Sequence, residues 1–263
     1  MTGSTSNQNA GTGTESTPSN LNNADGWKGQ SMQYRCECEF CKTGKATTHN
    51  DPSHDQSLYQ KLDLSPAQDP ALLQLTVFGG TTKCARIISK FLEEGEGFGR
   101  AYFENKKVVE VGSGTGLVGI VLGIIGANVV LTDQAPVLEL LQENIEHNLN
   151  DPKFDREVCG KFDVHELYWG SSKVPEIVQN ADVIIGSDLI FAKENIPLLL
   201  TTFETLCSPE KNTELIFAHI DRFSWEKSFF DGMTRNGFRI ELIHTDVDIK
   251  IFRFIRISLP INE

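Results

Sequence analysis

The chain has 263 residues, of which 39% are hydrophobic and 23% are charged, and its formal net charge is −12 at pH 7. This length and composition are typical of a globular protein with one well-filled core. The acidic balance argues against a surface for duplex nucleic acid, which requires clustered Lys and Arg. A net negative charge is common in cytosolic proteins, and this is the favoured interpretation. The alternative is that the acidic surface attracts a basic protein partner.

The N-terminal segment has low sequence complexity. Thr2–Ser31 consists mainly of Gly, Ser, Thr and Asn, and it cannot bury enough apolar surface to offset the entropy of ordering. The sequence therefore predicts a disordered tail over residues 1–55 and one domain over 56–263. The N-terminus lacks the apolar segment of a signal peptide, and Leu117–Leu131 is too short to span a membrane. We expect a soluble, monomeric, cytoplasmic protein, with a nuclear location also open.

The predicted tail contains a cluster of cysteines. Cys36, Cys38 and Cys41 form a C-x-C-x-x-C pattern, and His49 and His54 follow it. Three thiolates and one imidazole could complete a tetrahedral zinc site, but the spacing matches no standard structural zinc site. A flexible thiol-bearing segment is therefore favoured, and no metal is assigned. The isolated cysteines are expected to act as small core hydrophobes: Cys84, Cys159 and Cys207.

From about Gln56 the apolar residues become periodic. The pattern predicts a strand over Leu72–Phe78 and then a helix that ends near Gly95. Further strands are predicted at Val108–Val111, Asn128–Thr132, Val164–Tyr168, Asp182–Gly186, Glu214–His219, Phe238–His244 and Ile249–Ile257. Further helices are predicted at 115–125, Ala135–Asn148, Glu194–Leu206 and 224–236. Strands that alternate with helices predict an α/β fold with a mostly parallel sheet, closed by an antiparallel pair at its C-terminal end.

The first of these β-α units contains a glycine-rich turn. Its apolar strand carries Glu110 near its end and opens directly onto Gly112, Gly114 and Gly116, after which a helix begins. Such a turn lets the backbone approach a ligand that a Cβ atom would exclude. It also directs unpaired amide groups at a polar or anionic ligand. The turn therefore predicts a pocket for a nucleotide-like molecule.

Two ligand classes fit this pocket. As G-x-G-x-x-G over Gly114–Gly119, with Asp133 nineteen residues downstream, the turn would bind a nicotinamide dinucleotide. As Glu110-x-Gly112-x-Gly114-x-Gly116 it would bind S-adenosylmethionine. The first glycine directly follows the strand, and this register favours the methyl donor. Asp133 would bind the ribose hydroxyls in either case, and it could also cap the helix that begins at Ala135.

Four motifs in this order resemble a known family. Glu110–Gly119, Thr132–Asp133, Leu167–Gly170 and Gly186–Phe191 are similar to the motifs of seven-β-strand protein-lysine methyltransferases, in particular the methyltransferase-like twenty-one group of family sixteen. The similarity extends over roughly residues 75 to 258. It implies a Rossmann-like class I methyltransferase fold with seven strands and S-adenosylmethionine as cofactor. The implied reaction is N-methylation of a lysine in a protein, often a translation factor or a chaperone.

The resemblance also implies roles for individual residues. Ser113 and the glycines beside it would line the methionine and ribose end of the cofactor, Trp169 would cover the adenine, and Ser187 would lie near the sulfonium. The full set of implied cofactor-binding residues is Glu110, Gly112, Ser113, Gly114, Gly116, Asp133, Trp169 and Ser187.

The substrate side of the implied site departs from the family pattern. Asp188 and Phe191 match the family's D-x-x-Y segment, with Phe in place of the commoner Tyr. The acid would orient the lysine amine and the aromatic ring would form a wall beside it. Thr82 stands where the family has a tryptophan, and the hydroxyls and glycines around it are expected to cap a helix instead.

Other functions remain open from the sequence alone. They are a methyltransferase for nucleic acid, histidine or a small molecule, a nicotinamide-dependent oxidoreductase, and a non-catalytic scaffold with an intact pocket. No histidine forms a nucleophilic constellation with a serine or cysteine. His219 and Arg222 follow a late strand and could face the mouth of the site, but the sequence assigns them no role.

Overall fold

The computed structural model describes residue 75 and residues 77–152, 154–171, 173–207 and 210–257. The predicted tail and the Cys36–Cys41 motif with its two histidines lie outside the described residues, as do four positions of the strand predicted over Leu72–Phe78. Of the three described positions in that range, Phe78 and its neighbours Leu75 and Val77 belong to no strand, so this part of the prediction is wrong. The reason is a long-range contact: the backbone N–H and C=O of Phe78 pair with the side chain of Asn144, 66 positions later, instead of a neighbouring strand.

A seven-stranded sheet forms the centre of the described part. Its strands are β1 (Lys107–Val111), β2 (Asn128–Asp133), β3 (Phe162–Glu166), β4 (Val183–Ser187), β5 (Glu214–Ile220), β6 (Phe238–Asp246) and β7 (Ile249–Arg256). Their order in space is β3-β2-β1-β4-β5-β7-β6. The first five pair in parallel, and β7 pairs antiparallel with both β5 and β6. The predicted mixed sheet with an antiparallel C-terminal pair is confirmed.

The strand order creates the position for a site. The chain runs outward from β1 through β2 to β3, and it then returns to place β4 on the other side of β1. Loops that leave the carboxyl ends of β1 and β4 therefore diverge, and the crevice between them is where open α/β sheets bind ligands. The glycine-rich turn follows β1, and the Gly186–Phe191 motif begins in β4, so both predicted motifs reach this crevice.

Six α-helices accompany the sheet in the described residues. They are α1 (Lys83–Glu94), α2 (Arg100–Phe103), α3 (Leu117–Ile124), α4 (Ala135–Leu149), α5 (Ile196–Leu206) and α6 (Lys227–Arg235). The predicted helices are confirmed, although short 3₁₀ turns at Lys193–Asn195 and Ser224–Glu226 replace the predicted starts of α5 and α6. The four-residue α2 is too short to give a periodic signal in the sequence. Each of these helices is too short or too polar to cross a bilayer.

Two local features of the helices agree with the sequence. Thr82 is the N-cap of α1, since its Oγ1 accepts a hydrogen bond from the amide of Ala85 at 3.1 Å, and this confirms the predicted cap. All eight residues of α3 are buried. The helix is apolar on every side because it lies in the core between the sheet and α1.

Gly160 gives a test of how tightly the β2–β3 region is packed. A Cβ atom at this position would lie 1.8 Å from the carbonyl oxygen of Ala127, which is backbone and cannot rotate away. We expect Gly160→Ala to lower the free energy of unfolding by about 2 kcal/mol or more, as overpacking typically does. Urea denaturation measures this loss, and Glu157→Ala at a nearby exposed position is the control. Equal stability of the two variants would contradict the packing described here.

Candidate active site

The glycine-rich turn after β1 is a left-handed backbone segment. Gly112, Gly114 and Gly116 have φ values of +66°, +55° and +80°, which side chains other than glycine rarely tolerate. Gly112 also needs the space, because a Cβ there would lie 2.7 Å from the Leu189 side chain and 3.1 Å from Trp169. A Cβ on Gly114 would meet no atom within 4 Å. Gly114 therefore presents a bare Cα edge to open space, although its amide N–H is already paired with the Asp133 carboxylate.

Buried hydroxyl groups fasten this turn to the neighbouring strand. The amide of Ser113 donates to the carbonyl of Thr132 at 2.9 Å, and the Ser113 Oγ accepts from the Thr132 amide at 3.0 Å. The Thr132 Oγ1 donates to the carbonyl of Glu110 at 2.7 Å. The ends of β1 and β2 are thus joined by polar contacts in the interior. Both the amide and the hydroxyl of Ser113 are consumed in these contacts.

Glu110 lies behind the turn. Its side chain is 2% exposed, and its Oε2 accepts a hydrogen bond from the amide of Gly119 in the first turn of α3 at 3.1 Å. Burial raises the pKa of Glu110 to about 8, against the opposing effect of donors from Ser113 and Gly119. The carboxyl group therefore connects β1 to the start of α3. Direct contact of Glu110 with a cofactor stays a prediction.

Asp133 ends β2 directly beside the bare peptide edge. Its Oδ2 accepts from the amide of Gly114 at 2.8 Å, and its Oδ1 accepts from the amide of Gln134 at 2.7 Å. Burial raises its pKa, and these two amides oppose the shift. The alternative in which Asp133 caps α4 is wrong, because Gln134 is the N-cap residue and makes no side-chain cap bond. Each carboxylate oxygen still has a further lone pair for a ligand.

Aromatic residues form a wall at the same end of the sheet. Trp169 follows β3, and its ring centroid lies 5.9 Å from that of Phe191 at an interplanar angle of 51°. The indole also lies close to Gly112, since a Cβ atom on that glycine would be 3.1 Å from it. Phe191 remains 43% exposed. The structure therefore brings Gly112, Trp169 and Phe191 together, as the three motifs predicted.

Ser187 is the last residue of β4 and carries an unsatisfied polar atom. Its Oγ is buried and has no hydrogen-bond partner in the part of the chain that the structure describes. A buried hydroxyl without a partner is costly, and native proteins normally supply one from the chain, from water or from a ligand. The open end of β4 is therefore a place where a polar ligand atom would be stabilised.

Asp188 begins the loop after β4 in a strained backbone conformation with φ of +61°. Its amide donates to the carbonyl of Ala218 on β5, which fixes the turn. Both carboxylate oxygens accept from the Nη2 of Arg222, at 2.7 Å and 2.9 Å. The sequence predicted an acid that faces the substrate and named no partner for it, whereas the structure pairs it with a cation. Non-glycine residues that are held in the left-handed region by their surroundings cluster at active sites and ligand-binding loops.

Arg222 and its supports are functional candidates to which the sequence analysis assigned no role. The amides of Arg222 and Phe223 both donate to the buried Oε2 of Glu226, at 2.8 Å and 3.1 Å. His219 is fully buried at the end of β5, with its Nε2 3.3 Å from the same Oε2. Burial lowers its pKa, while Glu226 and Asp221 oppose the shift. The sequence signal for Arg222 was its position: it follows the carboxyl end of β5, and this end lies at the same edge of the sheet as the carboxyl ends of β1 and β4.

Asn144 of α4 was also missed. It is completely buried, and its Nδ2 donates to the carbonyls of Thr115 at 2.8 Å and Phe78 at 3.1 Å. It therefore ties the glycine-rich turn to the segment that precedes α1. Asn144 and Asn148 stand four positions apart on the same face of the predicted helix as Leu141 and Ile145, and this spacing was the available sequence signal.

Comparison with known proteins agrees with this geometry. The profile of a family described as lysine methyltransferase matches residues 80–236. Protein N-lysine methyltransferase METTL21A of Danio rerio is 33% identical over 174 residues, which cover 65% of this chain and 74% of the relative. METTL21A of Mus musculus is 32% identical over 182 residues, covering 68% and 78%. EEF1A lysine methyltransferase 3 of Xenopus tropicalis is 30% identical over 158 residues, covering 59% and 66%.

A solved structure supports the fold alone. The crystal structure of a methyltransferase from Pyrococcus furiosus superposes with a TM-score of 0.52 at 17% sequence identity. The match covers 72% of this chain and 92% of the other.

The buried acid of the turn gives a pH-dependent prediction. The folded pKa of Glu110, about 8, is above its ordinary value of 4.5, so the folded protein retains this proton where the unfolded chain has lost it. The protonated Glu110 carboxyl group therefore contributes fully to the free energy of unfolding below about pH 4.5, and this contribution is lost as the pH rises towards 8. Glu110→Gln removes this titration and should gain stability relative to the wild type between about pH 5 and 8, by up to about 1.4 kcal/mol per pH unit.

Urea denaturation at several pH values measures this difference. Glu139→Gln, at an exposed position of α4, changes the formal charge by the same amount and serves as control. A constant difference between Glu110→Gln and the wild type across this range would contradict the raised pKa.

Proposed function

The chain belongs to the lysine methyltransferase family, and we propose how its residues carry out the methylation of a protein lysine and which proteins it serves. The observation that carries the proposal is the convergence of the bare Gly114 peptide, the Asp133 carboxylate and the Ser187 hydroxyl at one edge of the sheet. The family match favours a methyltransferase over a nicotinamide-dependent oxidoreductase. It also favours lysine over nucleic acid, histidine or small-molecule substrates.

The crevice fits S-adenosylmethionine as the cofactor. Gly114 leaves open space next to the peptide, Asp133 offers free lone pairs to a diol, and Ser187 has a buried hydroxyl that lacks a partner among the described residues. A ribose bears two adjacent hydroxyl donors that suit the carboxylate of Asp133, and the polar methionine end suits the unpartnered hydroxyl of Ser187. When bound, S-adenosylmethionine supplies a methyl group on an electrophilic sulfonium.

We assign the cofactor-binding roles as follows. The backbone at Gly112, Ser113 and Gly114 lines the methionine and ribose end, and Asp133 holds the ribose hydroxyls. Trp169 covers the adenine with its apolar face, and Gly116 allows the chain to turn into α3. Glu110 acts indirectly, since its carboxyl group holds the amide of Gly119 and keeps the turn in shape.

We assign the lysine end of the site to the loop after β4. Phe191 forms an exposed aromatic wall next to Trp169, and Asp188 presents a carboxylate whose oxygens retain lone pairs for an N–H group. When bound beside this loop, the sulfonium of the cofactor would supply the methyl group to the lysine nitrogen that the loop holds. The task of Asp188 and Phe191 is to align that nitrogen and keep water away from it.

Exposed aromatic residues at the mouth of the crevice support a protein substrate. Tyr168, Phe191 and Phe223 follow β3, β4 and β5, and they are 53%, 43% and 57% exposed. Aromatic side chains are enriched in the centres of protein interfaces, where they are anchors. A relative is named for methylating EEF1A, and we propose that the substrate here is also a translation factor. A chaperone is the alternative.

Three further assignments rest on the sequence. We propose that residues 56–263 form the catalytic domain and that residues 1–55 are a tail outside it. We propose a monomer, and a cytoplasmic location with access to the nucleus, since a translation factor is encountered in the cytoplasm.

The ribose assignment is tested by cofactor binding. Asp133→Ala removes the acceptor for the ribose and for the Gly114 amide, so affinity for S-adenosylhomocysteine should fall at least about tenfold, as expected for loss of a charged hydrogen bond. Isothermal titration calorimetry measures the dissociation constant. Glu166→Ala, at an exposed position at the end of the adjacent β3, is the matched control. Unchanged affinity of Asp133→Ala would reject the assignment.

The reaction is tested with labelled donor. The purified protein, incubated with radiolabelled S-adenosylmethionine and a cell extract, should label a nuclease-resistant protein band, and mass spectrometry should place the methyl group on lysine. Asp188→Asn should reduce the initial rate at least about tenfold through loss of alignment, with binding of S-adenosylhomocysteine retained. Asp163→Asn on the exposed face of β3 is the control. Label found only in RNA or small molecules would reject the proposed function.

A further inference from the structure

The ion pair between Asp188 and Arg222 is held in place from both sides by the fold. Asp188 is fixed in its left-handed conformation by a bond to β5, and one nitrogen of Arg222 bonds both of its oxygens. The backbone of Arg222 is fixed in turn by the buried carboxylate of Glu226. The Asp188 side chain is only 11% exposed, whereas that of Arg222 is 37% exposed. The pair therefore lies at the boundary between the crevice and solvent.

The reaction imposes a condition on this location. Free lysine side chains are ammonium ions at neutral pH, and the nitrogen has a lone pair for attack only after one proton has left for solvent. An isolated carboxylate next to the nitrogen would stabilise the ammonium form and oppose this loss. A carboxylate that is already neutralised by a guanidinium exerts no such net attraction. Its unused lone pairs still accept a hydrogen bond from the neutral amine.

We propose that Arg222 is a positioning residue of the active site, which neutralises and orients Asp188 so that the substrate lysine is held as its free amine. This inference rests on the proposed function and deepens it. Arg222 acts through Asp188 and through its fixed positive charge, which is never lost in the working pH range. It takes no proton itself, and the proton of the lysine passes to bulk water before the nitrogen attacks the methyl carbon.

Other titratable and charged groups lie around the pair and contribute to any pH dependence measured there. From the β5–α6 segment, His219 and Asp221 act on this region, and Glu226 holds it. From α1, the buried thiol of Cys84 is close enough for the charges of both members of the pair to act on it, and burial raises its pKa to about 12. Two ion pairs between neighbouring elements complete the set: Lys83 of α1 with Asp248 of the β6–β7 turn, and Lys250 of β7 with Asp221.

The experiment compares rate-against-pH profiles of the full chain. Initial rates of labelling of the extract protein band are measured at saturating S-adenosylmethionine over a series of extract concentrations, from about pH 6.5 to 10.5, which reaches the ordinary pKa of lysine. The limiting rates at high extract concentration are compared, because they report the ionisation of the bound lysine, whereas rates at low substrate report the free lysine and the free enzyme. Arg222→Gln keeps a hydrogen-bond donor but removes the charge, and Arg222→Lys restores the charge. Arg239→Gln, on the exposed surface of β6, is the control. Thermal unfolding and calorimetric binding of S-adenosylhomocysteine establish that each variant is folded and loads the cofactor.

We expect the acidic limb of the Arg222→Gln profile to move up by about one pH unit, the lower end of the shift that one nearby charge produces. On the rising part of the profile its rate should be about tenfold below that of the wild type, and it should recover towards the wild-type rate where the wild-type profile levels off, since one pH unit corresponds to a tenfold change in the amine fraction. Arg222→Lys should return the limb towards its original position. A loss that is uniform across the pH range, or an unchanged profile, would overturn the inference while leaving the proposed function intact. If the wild type labels no protein lysine at any pH, the proposed function fails and the inference with it.

Discussion

The structure depends on the connection between the glycine-rich turn and the ends of β1 and β2. Three left-handed glycines allow the chain to turn, but they also make the turn entropically costly to fix. Buried polar contacts offset this cost, since Ser113 and Thr132 join the two strands and Glu110 holds the first turn of α3. The turn can therefore expose the Gly114 peptide to a ligand without collapsing onto it. The turn is thus preorganised by buried polar contacts before a ligand binds.

Much of this could be predicted from the sequence because the signals are local. The strand that runs into Gly112 follows from β-α periodicity, and the spacing of nineteen residues places Asp133 at the end of the next strand, where the structure has it. The cap at Thr82 follows from side-chain chemistry at a helix start, and the structure confirms it. Position along a parallel sheet then brings Trp169, Ser187 and Phe191 to the edge that carries the turn. These predictions need only the rule that carboxyl ends of parallel strands share one edge.

The remaining features could not be predicted because they depend on contacts between distant segments. The strand expected over Leu72–Phe78 has the right residues, but the buried amide of Asn144, 66 positions after Phe78, captures that backbone instead. Asp133 is a good cap by residue type, yet the chain places Gln134 at the cap position of α4. Arg222 carried no motif at all, and only the fold brings it to Asp188, 34 positions away. Such pairings are set by packing and leave no periodic trace.

The two acids that flank the crevice show how environment separates their tasks. Glu110 is buried without a cationic partner among the described residues, so burial raises its pKa and the group behaves as a neutral connector near neutral pH. Asp188 is largely buried as well, but the guanidinium of Arg222 compensates its charge. A neutral connector suits a position behind the cofactor loop, where a net charge would have to be solvated. A compensated carboxylate suits a position beside a nitrogen that must give up a proton, because it can orient the amine without stabilising the ammonium form. Burial thus gives the carboxyl group of Glu110 a structural role, whereas pairing with Arg222 suits the carboxylate of Asp188 to a functional one.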